Sequence, residues 1–207
     1  MVTPGGAEVP KIDAPTVAEH HSRRRAALIA AGADLLASGG VDAVTLAGVG
    51  AATGLARSSV YQYFDSGPAL LAAVVEAVFP RSTASLRAAV DGASSPQEKV
   101  DAYVITALDL ATDPVHRSLY ALAGSGLPEG CRARIAELHQ EQFAPLHQAV
   151  SELGVADPAL VTRLLLGVLQ SATTAVVEGA PKAKVKDGVL AFVHEGISGS
   201  ASAAGEC

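Results

Sequence analysis

The stretch Thr45–Phe64, TLAGVGAATGLARSSVYQYF, decides how the rest of the chain is read. Thr45 is a candidate N-cap, and Leu46, Val49 and Thr53 follow at helical spacing as an inward face. Gly54 supplies a turn, because a positive φ is cheap only at glycine. A second helix is expected from about Ala56 to Tyr63, closing on the aromatic cluster Tyr61, Tyr63 and Phe64. Two short helices joined by a glycine turn have the form of a helix-turn-helix, whose second helix lies in a DNA major groove.

Toward the N-terminus, residues 1–20 are rich in Pro and Gly without periodicity and are expected to form a flexible arm. Arg23, Arg24 and Arg25 stand where the first helix begins; Leu28, Ala31, Leu35 and Leu36 then recur as its buried stripe, and Gly39-Gly40 ends it. Residues 21–66 thus read as a three-helix unit. Ser66 caps a fourth helix, with Pro68 in the first turn, where a missing N–H costs nothing. Leu70, Leu71, Val74, Val75, Val78 and Phe79 suit a deeply buried helix, which Pro80 is expected to kink or end. Further helices are expected near 81–91, 96–112, 114–123, 128–153, 157–179 and 182–198, punctuated by Pro and Gly. The fold class is all-α: an arm, a helix-turn-helix domain over 21–66, a helical domain over 67–198 and a loose tail over 199–207.

Composition bounds the function. The chain has 207 residues, 49% of them hydrophobic, with no Trp. Its net charge of −6 is unevenly spread. Residues 1–19 carry one Lys against three acids, residues 20–66 four Arg against three acids, and residues 67–207 ten basic against fifteen acidic residues. The only positive segment is the helix-turn-helix, and its excess is a single charge, so modest non-specific affinity for DNA is expected. Cys131 and Cys207 are too few for a disulfide framework, the N-terminus lacks a secretory pattern, and no apolar stretch reaches spanning length without polar interruption. A cytoplasmic protein with no membrane partner is expected.

The residues of the second helix suit base reading. Arg57 can pair with a guanine through two hydrogen bonds, Ser58 and Ser59 can reach a base edge or phosphate, and Gln62 can contact adenine or a thymine edge. The hydroxyls of Tyr61 and Tyr63, and Thr45 at the front of the preceding helix, suit phosphate oxygens. Tyr61 could instead be a packing residue with a wet hydroxyl, and Arg23–Arg25 a solvated helix start rather than a DNA contact. Val60 and Phe64 are expected in the core.

Residues 24–71 resemble the DNA-binding domain of the TetR family of bacterial transcriptional regulators. The resemblance is carried by Thr45-Leu46, Gly54-Leu55, the run Arg57-Ser58-Ser59-Val60-Tyr61-Gln62-Tyr63-Phe64, and Leu70-Leu71. It implies DNA contact by Thr45, Arg57, Ser58, Ser59, Tyr61, Gln62 and Tyr63. Three positions depart from the family pattern. Ala56 replaces a capping Ser, a loss of about 1 kcal/mol; Gly50 replaces Ala, loosening the helix by roughly 1 kcal/mol; and Gly67 replaces a phosphate-binding Lys.

The resemblance further implies that the helices after residue 70 receive a ligand and form a dimer. The expected function is a ligand-responsive transcriptional regulator, a repressor bound as a homodimer to a palindromic double-stranded operator and released by an apolar or weakly polar small-molecule effector. Polar and aromatic residues on otherwise apolar helices are candidate ligand contacts: Tyr103, Tyr120, His139, Phe143, His147, Gln170 and Thr174. Leu160, Leu164 and Val168, with Val189 and Phe192 of the last helix, form broad apolar faces that suit either a dimer interface or a core. Two other readings are a ligand-independent DNA-binding protein and a metal-dependent enzyme using His139 and His147, eight residues apart on one face. The latter lacks the i, i+4 histidine pairing, and no cofactor or resident metal is expected.

Overall fold

A computed structural model describes residues 17–116 and 129–204, without the side chains of 129–131 and 198–204. Tyr120, the 114–123 segment beyond His116 and most of the expected arm lie outside the described residues. Among the described residues there are eight α-helices, a further helical turn at 114–116 and no strand. The eight are α1 (Val17–Gly39), α2 (Leu46–Thr53), α3 (Arg57–Val60), α4 (Gly67–Asp91), α5 (Pro96–Leu110), α6 (Glu129–Glu152), α7 (Pro158–Val177) and α8 (Lys182–Ala204). A 3₁₀ turn, Val41–Ala43, joins α1 to α2.

Local chemistry sets most helix starts. Thr45 accepts a hydrogen bond from Gly48 N at 2.9 Å, Ser66 from Ala69 N at 3.2 Å and Asp157 from Leu160 N at 2.9 Å. Ser95 forms a reciprocal capping box with Glu98. Two ends differ from expectation. α1 begins at Val17, so Arg23–Arg25 lie in its second and third turns rather than at its start, and the Arg23 Nε–H donates to Glu19 O. α8 runs to Ala204, past the end expected at residue 198 and through a run of Ser, Gly and Ala.

The helices enclose two cores, and α4 runs through both. The first is built from Leu28, Leu36, Val49, Val60, Leu70 and Val74, all fully buried, and extends along α4 to Phe79. Leu138 of α6 joins it, so the second half of the chain packs directly on the first. The second core holds Leu86 and Val90 of α4 with Val100, Val104 and Leu108 of α5, Leu146 and Val150 of α6, and the inner faces of α7 and α8.

Two local readings change at α1 and α4. The buried stripe of α1 is Leu28, Gly32 and Leu36, with Ala31 only half-buried. A Cβ on Gly32 would fall 2.5 Å from Val74 Cγ2, so glycine sets how closely α1 crosses α4. Pro80 does not end α4, which continues unbroken to Asp91. An internal proline costs about 3 kcal/mol. The burial of Phe79, Ser82 and Leu86 around it offsets that cost, and Ser82 Oγ donates to Phe79 O at 2.8 Å.

α4 and α7 are long and apolar enough to cross a bilayer by length and hydropathy alone. α4 is a core helix here. α7 carries Arg163 and Gln170 and leaves most of its apolar window uncovered, only 28% being buried.

Candidate functional site

The head is organised by the turn between α2 and α3. Gly54 has φ 70°, as the turn requires, and Leu55 N donates to Gly50 O at 2.8 Å. A Cβ on Gly50 would sit 2.8 Å from Leu55 O and 3.3 Å from Val60 Cγ2. Gly50 is therefore what lets the turn close on α2, and not only a loosening of that helix. Ala56 caps α3 without a side-chain bond. Regular α-helix holds for Arg57–Val60 alone, shorter than expected. Beyond it the backbone tightens through Gln62 N to Ser59 O (3.2 Å) and Tyr63 N to Val60 O (2.9 Å), the usual way a short helix satisfies its last carbonyls.

This geometry sorts the side chains. Val60 and Phe64 are buried; Ser59 and Tyr63 are half-buried; Thr45, Arg57, Ser58, Tyr61 and Gln62 are exposed. Tyr61 is 45% exposed, so it is not a core aromatic. Arg57 Nη2 donates to Tyr61 Oη at 3.2 Å with its guanidinium over the ring, which holds the arginine in an outward posture. A groove of about 480 Å³ lies between the N-terminal ends of α2 and α4, bordered by Thr45, Arg57, Tyr61, Asp65, Ser66 and Gly67. Two helix N-termini thus direct partial positive charge and free N–H groups toward the side where Arg57 stands.

α1 braces the same surface. His21 stacks on Tyr63 with ring centroids 4.5 Å apart, and the Arg25 guanidinium lies 5.1 Å from the centroid of Phe64. Arg25 is tied to the aromatic cluster, while Arg23 and Arg24 are exposed on the same helix. His21 was not legible as part of the head, since its partner lies 42 positions further along the chain.

The second feature is a cavity of about 390 Å³ among α4, α5, α6 and α7. Four expected residues line it: Tyr103, His139, Phe143 and Gln170. His116, Gln140 and Gln142 join them unforeseen. The Tyr103 hydroxyl donates to Gln142 O at 3.3 Å and Gln142 Nε2 donates to Ser82 Oγ at 3.1 Å, which fixes that wall. Burial pushes His139 below its ordinary pKa against a hydrogen bond to the Ile135 backbone, and pushes His116 down against the nearby Asp113 carboxylate. His139 also touches the first core: Phe79 meets it edge-on at 5.0 Å, and Phe143 stacks on its other side at 5.5 Å. Beside it, Arg134 of α6 pairs with Glu76 of α4 at 3.3 Å.

Two expected contacts lie elsewhere. His147 is exposed, with Nδ1 3.2 Å from Thr162 Oγ1, and Thr174 is exposed and donates to Gln170 O. His139 and His147 are two helical turns apart, roughly 12 Å of rise, and have different partners, so they do not converge on a common ion. On α7 and α8, Leu160, Leu164 and Phe192 are 46%, 61% and 61% exposed and Val168 is half-buried. Val189, expected at a dimer face, is buried in the second core. An open groove of about 550 Å³ runs between these two helices, with Val168, Ala172, Val185 and Phe192 on its walls.

A glycine-turned helix pair with an exposed arginine, braced by α1 and joined to a helical body, defines a helix-turn-helix DNA-binding protein. Residues 28–74, which cover most of the head, match the family model of bacterial regulatory proteins, tetR family. The whole fold is similar to a TetR-family transcriptional regulator from Streptomyces coelicolor (TM-score 0.71, 17% identity, covering 87% of this chain and 90% of that one). It is also similar to the transcriptional regulator FadR from Bacillus subtilis in complex with stearoyl-CoA (TM-score 0.66, 16% identity, 81% and 96% covered). The superantigen pfit shares it as well (TM-score 0.63, 23% identity, 82% and 88% covered). At these identities the likeness is one of fold. No curated protein matches the sequence.

Proposed function

We propose that the chain is an effector-responsive repressor that binds a palindromic operator as a homodimer in the cytoplasm. The observation that carries this reading is the exposed Arg57–Tyr61 pair at the front of the helix-turn-helix, on a head whose α4 continues to the wall of a cavity. Arg57 would read a guanine, Ser58 and Gln62 neighbouring base edges, and Thr45, Tyr61, Tyr63 and the N-termini of α2 and α4 the phosphates. Arg23 and Arg24 add charge on the α1 side.

Two heads must stand about 34–36 Å apart to meet successive half-sites. The exposed apolar residues Leu160, Leu164 and Phe192 supply a face on which a second copy can dock. An effector in the cavity would displace His139, which bears on Phe79 of α4, and favour a spacing the operator does not match. That FadR of the same fold was crystallised with stearoyl-CoA supports an effector-binding body. A ligand-independent binder would leave the polar-lined cavity without a use.

The test is selection of duplex DNA from a random pool with purified protein, followed by gel retardation. A palindromic consensus retained by a dimer is expected. No selected sequence at low salt, or a monomer at the concentrations that retard DNA, overturns the reading.

A further inference from the structure

The polar groups that line the cavity are two imidazoles, three primary amides and a phenol, set among leucines, alanines and Phe143. Burial keeps both histidines on the neutral side of their ordinary range. Such a lining offers donors and acceptors, and its described residues offer no formal charge to pair with a buried ion. Placing an unpaired charge there would be costly, whereas a neutral hydrogen-bonding molecule meets partners on several walls.

The shape adds a second constraint. Phe79, His139 and Phe143 form a series of rings, the last two within 17° of parallel, and both border the cavity. A planar aromatic guest can extend this series by stacking. A dry cavity of about 150 Å³ accommodates benzene. The 390 Å³ here is between two and three times that.

We propose that this cavity takes an uncharged, planar aromatic molecule of two to three fused rings bearing a hydroxyl or carbonyl group, with His139 and Phe143 as its stacking wall and the Gln140, Gln142 and Gln170 amides as its polar contacts. The assignment rests on the effector-responsive reading above and names the class of that effector. It separates this chain from a site built for fatty acyl chains with charged headgroups.

The experiment is calorimetric titration of the full-length protein, without DNA, at pH 7.5. The probes are 2-naphthalenemethanol, its saturated decalin analogue, 2-naphthoate and stearoyl-CoA. The naphthalene alcohol is expected to bind, with the decalin and the carboxylate each weaker by about tenfold or more, from lost stacking and from burial of an unpaired charge respectively. His139→Leu should weaken the alcohol by about tenfold. Because His139 also bears on Phe79, a second variant, Ala136→Phe, fills the cavity from an exposed lining position and should abolish binding while keeping the wild-type melting transition. Tighter binding of 2-naphthoate or stearoyl-CoA, no binding of the alcohol, or binding that survives both variants overturns the proposal. DNA retardation by the unliganded protein is scored separately, so loss of the aromatic effector leaves the operator reading standing, and the reverse.

Discussion

The head and the body of this molecule place their chemistry in opposite ways. In the head, most candidate contacts are on the outside: Thr45, Arg57, Ser58, Tyr61 and Gln62 are exposed, Ser59 and Tyr63 are half-buried, and the core beneath them fixes their direction. In the body the candidate contacts gather around a cavity: His116, Tyr103 and Gln142 are buried, His139 and Phe143 half-buried, and Gln140 and Gln170 stand at its exposed rim. An outward site is set by a few consecutive residues and one turn. An inward site needs four helices to meet. The first can therefore be read from a string of letters, and the second only from packing. The same contrast implies that substitutions at the head's exposed contacts should change binding without touching stability, whereas those at the buried wall of the cavity should do both.

The strongest test of that contrast is Arg57→Ala. The side chain is exposed and its partner among the described residues is Tyr61, so the melting temperature should move little. Each half-site should lose about 1–3 kcal/mol of discrimination, and binding to non-specific DNA should fall much less. Retardation of selected and scrambled duplexes by the variant measures both. A variant that keeps its sequence preference would remove Arg57 from the reading face.

Next in size is the proposed partner face. Leu164→Glu combined with Phe192→Glu places charges on two exposed apolar side chains, so each folded subunit should survive. The dimer should not. Operator affinity should then drop by about 10²–10⁴-fold as the avidity of two linked heads is lost. Light scattering paired with retardation checks this. An unchanged dimer would locate the interface elsewhere.

Gly50→Ala probes the head's interior, where two effects compete. Helix propensity favours Ala by up to about 1 kcal/mol. Against it stands a Cβ 2.8 Å from the Leu55 carbonyl oxygen, a backbone atom that cannot swing aside as a side chain can. Overpacking of this kind costs typically 1–3 kcal/mol, so net destabilisation is expected, with the turn forced open and operator affinity reduced. A gain in melting temperature would mean that the turn relaxes freely.

The legible part of the fold follows the same division. Thr45, Gly54 and Ser66 announced the helix-turn-helix because caps and positive-φ turns act within three or four residues. Pro and Gly punctuation likewise announced the segments that form α5 to α8, whereas α4 was expected to kink or end at Pro80. What stayed hidden depends on residues far apart in sequence. The stripe of α1 runs through Gly32 rather than Ala31 because Val74 approaches there. α4 passes Pro80 because Phe79 and Ser82 are held by packing. Val189 turned out to be core, and His147 and Thr174 lie off the cavity, because a helical face can be assigned from spacing but not the neighbour it meets. His116 and Gln142 entered the cavity for the same reason.

The smallest expected effect is a pH dependence that belongs to the body. His116 and His139 are held below their ordinary value of 6.5, in both cases chiefly by burial. Asp113 opposes this at His116 and the Ile135 carbonyl at His139, so neither shift is unrestrained. The unfolded chain takes up protons near pH 6.5, whereas the folded chain resists them. Between that pH and the lowered folded values the unfolded state binds more protons, and stability must fall as the solution is acidified. Glu152 acts in a separate, lower window: its hydrogen bond to Lys99 holds it below 4.5, so its contribution is present above that pH and lost beneath it. Urea denaturation followed by circular dichroism should show a lower midpoint at pH 5.5 than at pH 7.5, and His116→Gln with His139→Gln should flatten that difference. An equal slope in the double variant would mean that the acid sensitivity arises outside the cavity, and the histidines would then not be the groups whose neutrality shapes it.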